Sequence, residues 1–124
     1  MTPEQRERLY AAVDQYNRGQ YFDAQERFER LFNELAAEDR PLAGALMALA
    51  TGMHLHFNRG GGRGVLNLMR QAMVSLDGLG ETHEGLATAE LFAAVEAYLQ
   101  ELDSRKKPGA GFFDRWLAPK IRYV

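Results

Sequence analysis

The chain has 124 residues, 46% of them hydrophobic, and it contains no cysteine. Its length suits one domain with a continuous core, and the lack of thiols excludes disulfides, thiolate metal sites and a cysteine nucleophile. Fifteen Lys and Arg residues against seventeen Asp and Glu give a net charge of -2, which disfavours general nucleic-acid binding.

The first two predicted helices form an antiparallel hairpin. Thr2 and Pro3 are typical of a capped helix start, and Gly19 ends the first helix. A second helix follows almost at once, with an apolar stripe that begins at Tyr21 and runs to Leu35. Because the connection is so short, the two helices are expected to lie side by side in opposite directions.

Three further helices are predicted. Pro41 opens a third helix, which is apolar or small nearly all round from Leu42 to Phe57 and is therefore central in the bundle. A glycine-rich link over residues 58–64 leads to a fourth helix, and Thr82 is the predicted N-cap of a fifth that runs to about Ser104. The predicted fold is all-α, a compact bundle of about five helices built from two antiparallel hairpins plus a fifth helix.

The C-terminal segment, residues 105–124, is set apart from the helical bundle domain, residues 1–104. It begins with a basic, glycine-rich link and then carries closely spaced aromatic side chains. Left in water, these side chains would form an aggregation-prone patch. We therefore expect the segment to pack back on the bundle or onto a second copy, and we expect self-association. A protein partner is also compatible with it. The aromatic residues are Phe112, Phe113, Trp116 and Tyr123.

Gly44, Ala48 and Gly52 recur every four residues along the third helix and form a ridge with little side-chain bulk. Such a ridge lets a neighbouring helix backbone approach closely. We interpret it as packing, because no apolar run approaches the roughly 18 residues that suggest a membrane span. The charged, polar start differs from a secretory signal, and the cysteine-free composition suits a reducing compartment, so a cytoplasmic protein is expected.

The first candidate site is a polar cluster between the second and third helices. Asp23, Glu26 and Glu29 can share one helix face, and His54 lies on an apolar face of the third helix. In an antiparallel pair, Glu26 or Glu29 comes near His54, as an acid–imidazole pair or a partial metal site. The favoured alternatives are a hydrogen-bonded structural histidine and a solvated carboxylate row with arginine partners. No cofactor and no metal are expected.

The second candidate site is an anion-binding loop at Arg59, Gly61, Gly62 and Arg63. Free N–H groups at the start of the fourth helix could meet an anion there. No strand precedes the glycines, and no lysine-serine or lysine-threonine pair follows them, so both nucleotide-binding fingerprints fail. A plain flexible loop is the favoured interpretation.

Residues 17–29, Asn-Arg-Gly-Gln-Tyr-Phe-Asp-Ala-Gln-Glu-Arg-Phe-Glu, resemble the signature of the bacterial and archaeal domain-of-unknown-function family 309. The usual form of that signature reads Tyr-Phe-Glu-Ala-His-Glu-x-x-Glu. Residues 42–65 are similar to the family's glycine-led helix, which ends in histidine before a glycine-rich turn. The resemblance implies a small all-helical bundle in a family without an established biochemical activity.

Carried over to this sequence, the family-like polar cluster is Asp23, Gln25, Glu26, Glu29 and His54. Gln25 stands where the family commonly has histidine. Glutamine cannot take up a proton near neutral pH and is a poor zinc ligand, so this difference weakens a metal or acid–base role and leaves a structural hydrogen-bond network intact.

Two functions from different classes are compatible with these patterns. The first is a non-catalytic helical interaction or scaffold protein that self-associates through its apolar C-terminal segment. The alternative is an enzyme, or a small-ligand or metal-binding protein, that uses the inter-helix polar cluster. The sequence leaves open whether the protein is an enzyme. Its two serines, Ser75 and Ser104, do not lie in a nucleophile-elbow context.

Overall fold

The computed structural model describes residues 1–59, 62–104 and 118–124, without the side chains of residues 59, 63, 103 and 104. In these residues the fold consists of five α-helices and a C-terminal segment, residues 118–124, that docks on them. Consecutive helices contact one another along the chain, so the predicted all-α bundle is confirmed. Within the described residues, no helix is both long and apolar enough to cross a membrane. The helices are α1 (Pro3–Asn17), α2 (Tyr21–Glu34), α3 (Arg40–Arg59), α4 (Arg63–Asp77) and α5 (Thr88–Ser104).

The start and the end of α1 follow local sequence rules. The Gln5 backbone N–H donates to the Thr2 hydroxyl oxygen at 3.1 Å, and the Thr2 N–H donates to the Gln5 side chain at 3.0 Å. This reciprocal capping box satisfies two amides that the helix itself leaves free. After α1, Gly19 takes a φ of 83°, a conformation that glycine adopts without steric cost, and the chain turns directly into α2.

Helix α3 is the buried centre of the bundle, because it packs against α2 on one side and α4 on the other. The predicted close approach along its small-residue ridge is present, but it involves two helices. A Cβ atom on Gly44 would lie 3.3 Å from the Phe32 ring of α2, and one on Gly52 would lie 3.7 Å from Leu68 Cβ of α4. The fully buried side chains of α3 include Leu42, Ala43, Leu46, Leu49, Ala50 and Met53.

The predicted start of the fifth helix was wrong: α5 begins at Thr88 and not after Thr82. His83 and Leu86 exchange backbone hydrogen bonds at 3.0 and 2.9 Å. Glu84 and Gly85 between them have φ values of 50° and 78°. Positive φ at both central residues is what a tight two-residue turn of this type requires, and it cannot continue into a right-handed helix.

The 83–86 turn is held in place by contacts from a distant part of the chain. The Tyr10 hydroxyl donates to the Glu84 carbonyl oxygen at 2.8 Å. A Cβ atom on Gly85 would lie only 2.2 Å from the same hydroxyl oxygen. Position 85 therefore needs glycine for two reasons, its positive φ and the close approach of Tyr10.

Residues 118–124 pack back on the bundle, as expected for the C-terminal segment, and bury Ala118 and Ile121. The Tyr16 hydroxyl donates to the Pro119 carbonyl oxygen at 2.7 Å. The Asn17 side chain bonds both backbone groups of Ile121, at 2.7 and 2.9 Å. We call this surface, where residues 118–124 meet α1 and the 83–86 turn, the terminal seam. The predicted aromatic residues Phe112, Phe113 and Trp116 lie outside the described residues.

Candidate functional site

The structure does not gather the predicted polar cluster around His54. The imidazole packs against the ring of Phe22, with 5.2 Å between ring centroids. The Asn58 side chain lies 3.2 Å from His54 Nδ1 and donates to the His54 carbonyl oxygen at 3.0 Å. Phe22 thus occupies the α2 position that contacts His54. The described residues show no ion pair between His54 and a carboxylate, so an acid–imidazole pair gains no support here.

The acidic residues of the predicted cluster are directed to different surroundings. Glu26 lies one turn before Arg30 on α2, with 3.8 Å between Glu26 Oε2 and Arg30 Nη2. For Glu26, this is a solvated carboxylate with an arginine partner one turn away. Asp23 is exposed in the first turn of α2. Gln25 and Glu29 instead face a shared groove.

That groove, which we call the α2–α4 groove, lies over α3 between α2 and α4 and has a volume of about 620 Å³. Helix α3 contributes two residues of its small-residue ridge, Gly44 and Ala48, so little bulk fills the space between the flanking helices. The flanking residues are Gln25, Glu29 and Phe32 from α2, Met47 and Thr51 from α3, and Leu68, Gln71 and Ser75 from α4, with Ala37, Arg40 and Pro41 at one end.

The α2–α4 groove carries one positive and one negative side chain. Arg40 Nε donates to the Leu35 carbonyl oxygen at 3.1 Å, and its guanidinium lies 5.9 Å from the centroid of the Phe32 ring. The backbone bond and the cation–π contact fix the position of this cation. Glu29 is exposed and has no ion-pair partner within the part of the chain that the structure describes. The groove therefore combines apolar side chains with one charge of each sign.

The predicted anion-binding loop falls mostly outside the described residues, which include neither Gly61 nor the side chains of Arg59 and Arg63. Gly62 precedes α4 with a φ of 109°, and its carbonyl oxygen accepts a hydrogen bond from the Val65 N–H at 3.2 Å. Anion binding at this loop stays a prediction.

A second cluster of ionisable side chains was missed by the sequence analysis. Asp39, His83 and Glu84 each offer a potential ligand atom, and these atoms all lie within 4.8 Å of one another. We call this group the Asp39–His83–Glu84 cluster. Asp39 ends the α2–α3 connection, whereas the other two belong to the 83–86 turn. No local spacing rule could join residues so far apart in the sequence, because the turn and its docking against α1 bring them together.

Two tyrosines of the terminal seam, Tyr16 and Tyr123, have raised pKa values. Burial raises the pKa of Tyr16 well above its ordinary value of 10.0, and the nearby Tyr21 and Tyr98 raise it further. Burial also raises the pKa of Tyr123, and so do the hydrogen bond that its hydroxyl donates to Asp14 Oδ1 at 2.7 Å and the charge of Asp14. Both shifts favour the protonated phenol.

Comparisons of the chain with protein-family models, with curated proteins and with solved structures found no match. The resemblance to family 309 therefore stays a prediction, and the function has to be argued from the geometry of the chain itself.

Proposed function

We propose that this protein is a non-catalytic helical interaction protein that self-associates, and that the α2–α4 groove is the contact surface between two copies. The observation that carries this proposal is the groove itself, an open cleft with partly apolar walls and one charge of each sign. The segment 118–124 is already used within the chain, which favours a contact surface elsewhere on the bundle.

The apolar part of the groove provides a reason for association. Phe32, Met47 and Leu68 pack against the core but are only partly buried, and all three line the groove. Covering such apolar surface is favourable by about 25 cal/mol for each Å² removed from water. Gly44 and Ala48 leave the floor of the groove without large side chains, beside the Phe32 ring of α2 that packs on Gly44.

The charges of the groove favour a second copy of the chain as the occupant. In a two-fold symmetric dimer the same patch faces itself, so a residue away from the axis meets a different residue of the other copy, and the contact occurs twice. Glu29 and Arg40 have opposite charges at different positions of the groove, so Glu29 of one copy can meet Arg40 of the other. Such pairs mainly set orientation and association rate, while the apolar centre supplies affinity.

Light scattering after size-exclusion chromatography tests the proposal on the full chain. We expect a concentration-dependent mass that rises towards twice the 14.0 kDa of one chain. Leu68→Asp should weaken the dimer by at least about tenfold in Kd, since it places a charge in the apolar centre. Val74→Asp is the matched control on the same helix, because Val74 is 76% exposed and outside the groove lining.

A charge-reversal pair tests the orientation of the dimer. Glu29→Arg and Arg40→Glu should each weaken association, and the double variant should restore it, because the opposite charges then meet again across the interface. A chain that stays monomeric at every concentration overturns the proposal. So does a dimer that Val74→Asp dissociates and Leu68→Asp leaves intact, which would place the interface outside the groove.

A further inference from the structure

The Asp39–His83–Glu84 cluster combines one imidazole with two carboxylates. Their ligand atoms lie within 4.8 Å of one another. A tetrahedral Zn²⁺ site with bond lengths near 2.0–2.2 Å has ligand atoms about 3.4 Å apart. The separations in the cluster exceed this spacing by at most about 1.4 Å, so the ligand atoms need to move only a short way to hold an ion.

The histidine of this cluster has an unsatisfied ring nitrogen. His83 Nε2 is shielded from solvent and has no hydrogen-bond partner. A buried polar atom in this state costs free energy, and such atoms in folded proteins often indicate a missing water or ion. The two hydrogen bonds between His83 and Leu86 fix the backbone from which the imidazole reaches the cluster. An ion bound through Nε2 would satisfy this nitrogen.

The two carboxylates already attract positive charge. The terminal ammonium of Met1 lies 3.3 Å from Asp39 Oδ2 and 3.9 Å from Glu84 Oε1. On the other side, Arg6 binds Glu84 Oε2, with Nη2 at 3.0 Å and Nε at 3.1 Å. Arg6 therefore orients the Glu84 carboxylate while leaving Oε1 directed at the ammonium. A divalent cation in place of the ammonium would keep this arrangement, with Arg6 as the outer contact that orients a metal ligand.

From this geometry we propose that Asp39, His83 and Glu84 bind one divalent transition-metal ion, with Zn²⁺ as the best match. An imidazole nitrogen favours Zn²⁺ over the oxygen-seeking Mg²⁺ and Ca²⁺, and carboxylate oxygens are accepted by Zn²⁺ as well. Three protein ligands leave one coordination position for water. The bound ion links the α2–α3 connection to the 83–86 turn, so it stabilises the folded chain.

Isothermal titration with ZnCl₂ on the full chain tests the proposal, with MgCl₂ as the comparison. We expect one Zn²⁺ per chain, a higher thermal midpoint with Zn²⁺ than with a chelator, and no comparable effect of Mg²⁺. His83→Gln and Asp39→Asn should each weaken Zn²⁺ binding by at least about tenfold, since even outer-shell changes cost that much. His54→Gln and Glu38→Gln are the matched controls. The first removes an imidazole outside the cluster, and the second removes the exposed carboxylate next to Asp39. Both variants should bind Zn²⁺ with a Kd within about twofold of that of the unchanged chain.

Nitrogen-15 NMR of the histidine rings tests the same site without any substitution, so it is decisive even where a variant fails to fold. Zn²⁺ should shift the ring nitrogens of His83 and leave those of His54 and His56 unchanged. The proposal is overturned if the unchanged chain binds no Zn²⁺ at a ratio of one to one, or if the shifts and the loss of binding follow His54 or His56 instead.

Discussion

The two helical hairpins, α1–α2 and α3–α4, are held together by a different kind of contact from the one that holds the terminal seam. In the hairpins, each helix packs mainly on the helix next to it in the chain. In the terminal seam, the hydrogen bond from Tyr16 to Pro119 joins residues 103 positions apart. Closing such a long loop costs conformational entropy before any contact is gained. The seam therefore depends on a few well-packed residues, whereas the hairpins depend on many residues that repeat along each helix.

The two proposed sites depend on different parts of the molecule, the α2–α4 groove on the hairpins and the Asp39–His83–Glu84 cluster on the terminal seam. The α2–α4 groove is formed by three consecutive helices, each of which packs on the next along the chain. The Asp39–His83–Glu84 cluster needs the 83–86 turn, which Tyr10 and the end of the chain hold in place. Damage to the seam should therefore weaken Zn²⁺ binding more than self-association.

The largest expected effect is at the centre of the seam. Ile121 is 2% exposed, and Ile121→Ala should lower the free energy of unfolding by about 3 kcal/mol, from lost apolar burial and the cavity left behind. Urea unfolding followed by circular dichroism measures this. Val124→Ala, in the same segment but at a residue 78% exposed, is the control and should change it by less than about 0.5 kcal/mol. Equal, small effects at both positions would mean that the seam contributes little stability.

A pair of glycine substitutions separates backbone strain from tertiary contact. Gly19 and Gly85 have nearly the same φ, 83° and 78°, but nothing lies within 4 Å of a Cβ atom on Gly19. Gly19→Ala should cost about 1 kcal/mol, the ordinary penalty for a left-handed residue. Gly85→Ala should cost about 2–3 kcal/mol, because it must also displace the Tyr10 hydroxyl. Equal costs in urea unfolding would contradict the role of Tyr10 in holding the turn.

Alkaline pH should weaken the seam. The pKa values of Tyr16 and Tyr123 are raised in the folded chain, so the unfolded chain releases these protons first, at a pH near 10.0. Their contribution to stability is complete below that pH and is lost as the pH rises towards the folded-state pKa values, by up to about 1.4 kcal/mol per pH unit for the buried Tyr16. The loss is smaller for Tyr123, because water screens a side chain that is 44% exposed.

Urea unfolding between pH 8 and 11 measures this loss, at values of pH that bracket the ordinary tyrosine pKa of about 10. Tyr16→Phe should flatten the pH dependence more than Tyr123→Phe, since Tyr16 is buried and Tyr123 is 44% exposed. The opposite order would show that burial is not the dominant cause of the Tyr16 shift.

The smallest expected effect is within the first hairpin, where Arg8 and Glu34 form an exposed ion pair. The hydrogen bond from Arg8 lowers the pKa of Glu34 below its ordinary value of 4.5. The contribution of the ionised Glu34 carboxylate to stability is therefore complete above pH 4.5 and is lost as the pH falls through the folded-state pKa. Because salt screens exposed pairs, Glu34→Gln should shift the thermal midpoint less than Ile121→Ala or Gly85→Ala does, and added salt should remove the difference. Glu38→Gln is the exposed control.

Much of the hairpin structure could be predicted because its causes are local. The capping box of Thr2 and Gln5 and the glycine turn at Gly19 each depend on residues within one or two helical turns. The burial of α3 follows from side chains that are apolar or small nearly all round that helix. By contrast, the polar cluster predicted around His54 required knowledge of which α2 side chain meets it, and Phe22 takes that position.

The amino-acid sequence by itself determined the helices, their order and the two hairpins, because periodicity, caps and glycine turns act over a few residues. Only the tertiary structure decided where α5 begins, where residues 118–124 dock and which ionisable groups meet. The turn at residues 83–86 is the clearest case: its positive φ values and its place beside Asp39 depend on Tyr10 and on the end of the chain. Contacts between residues so distant leave no periodic pattern, since they depend on packing that exists only after the bundle has formed.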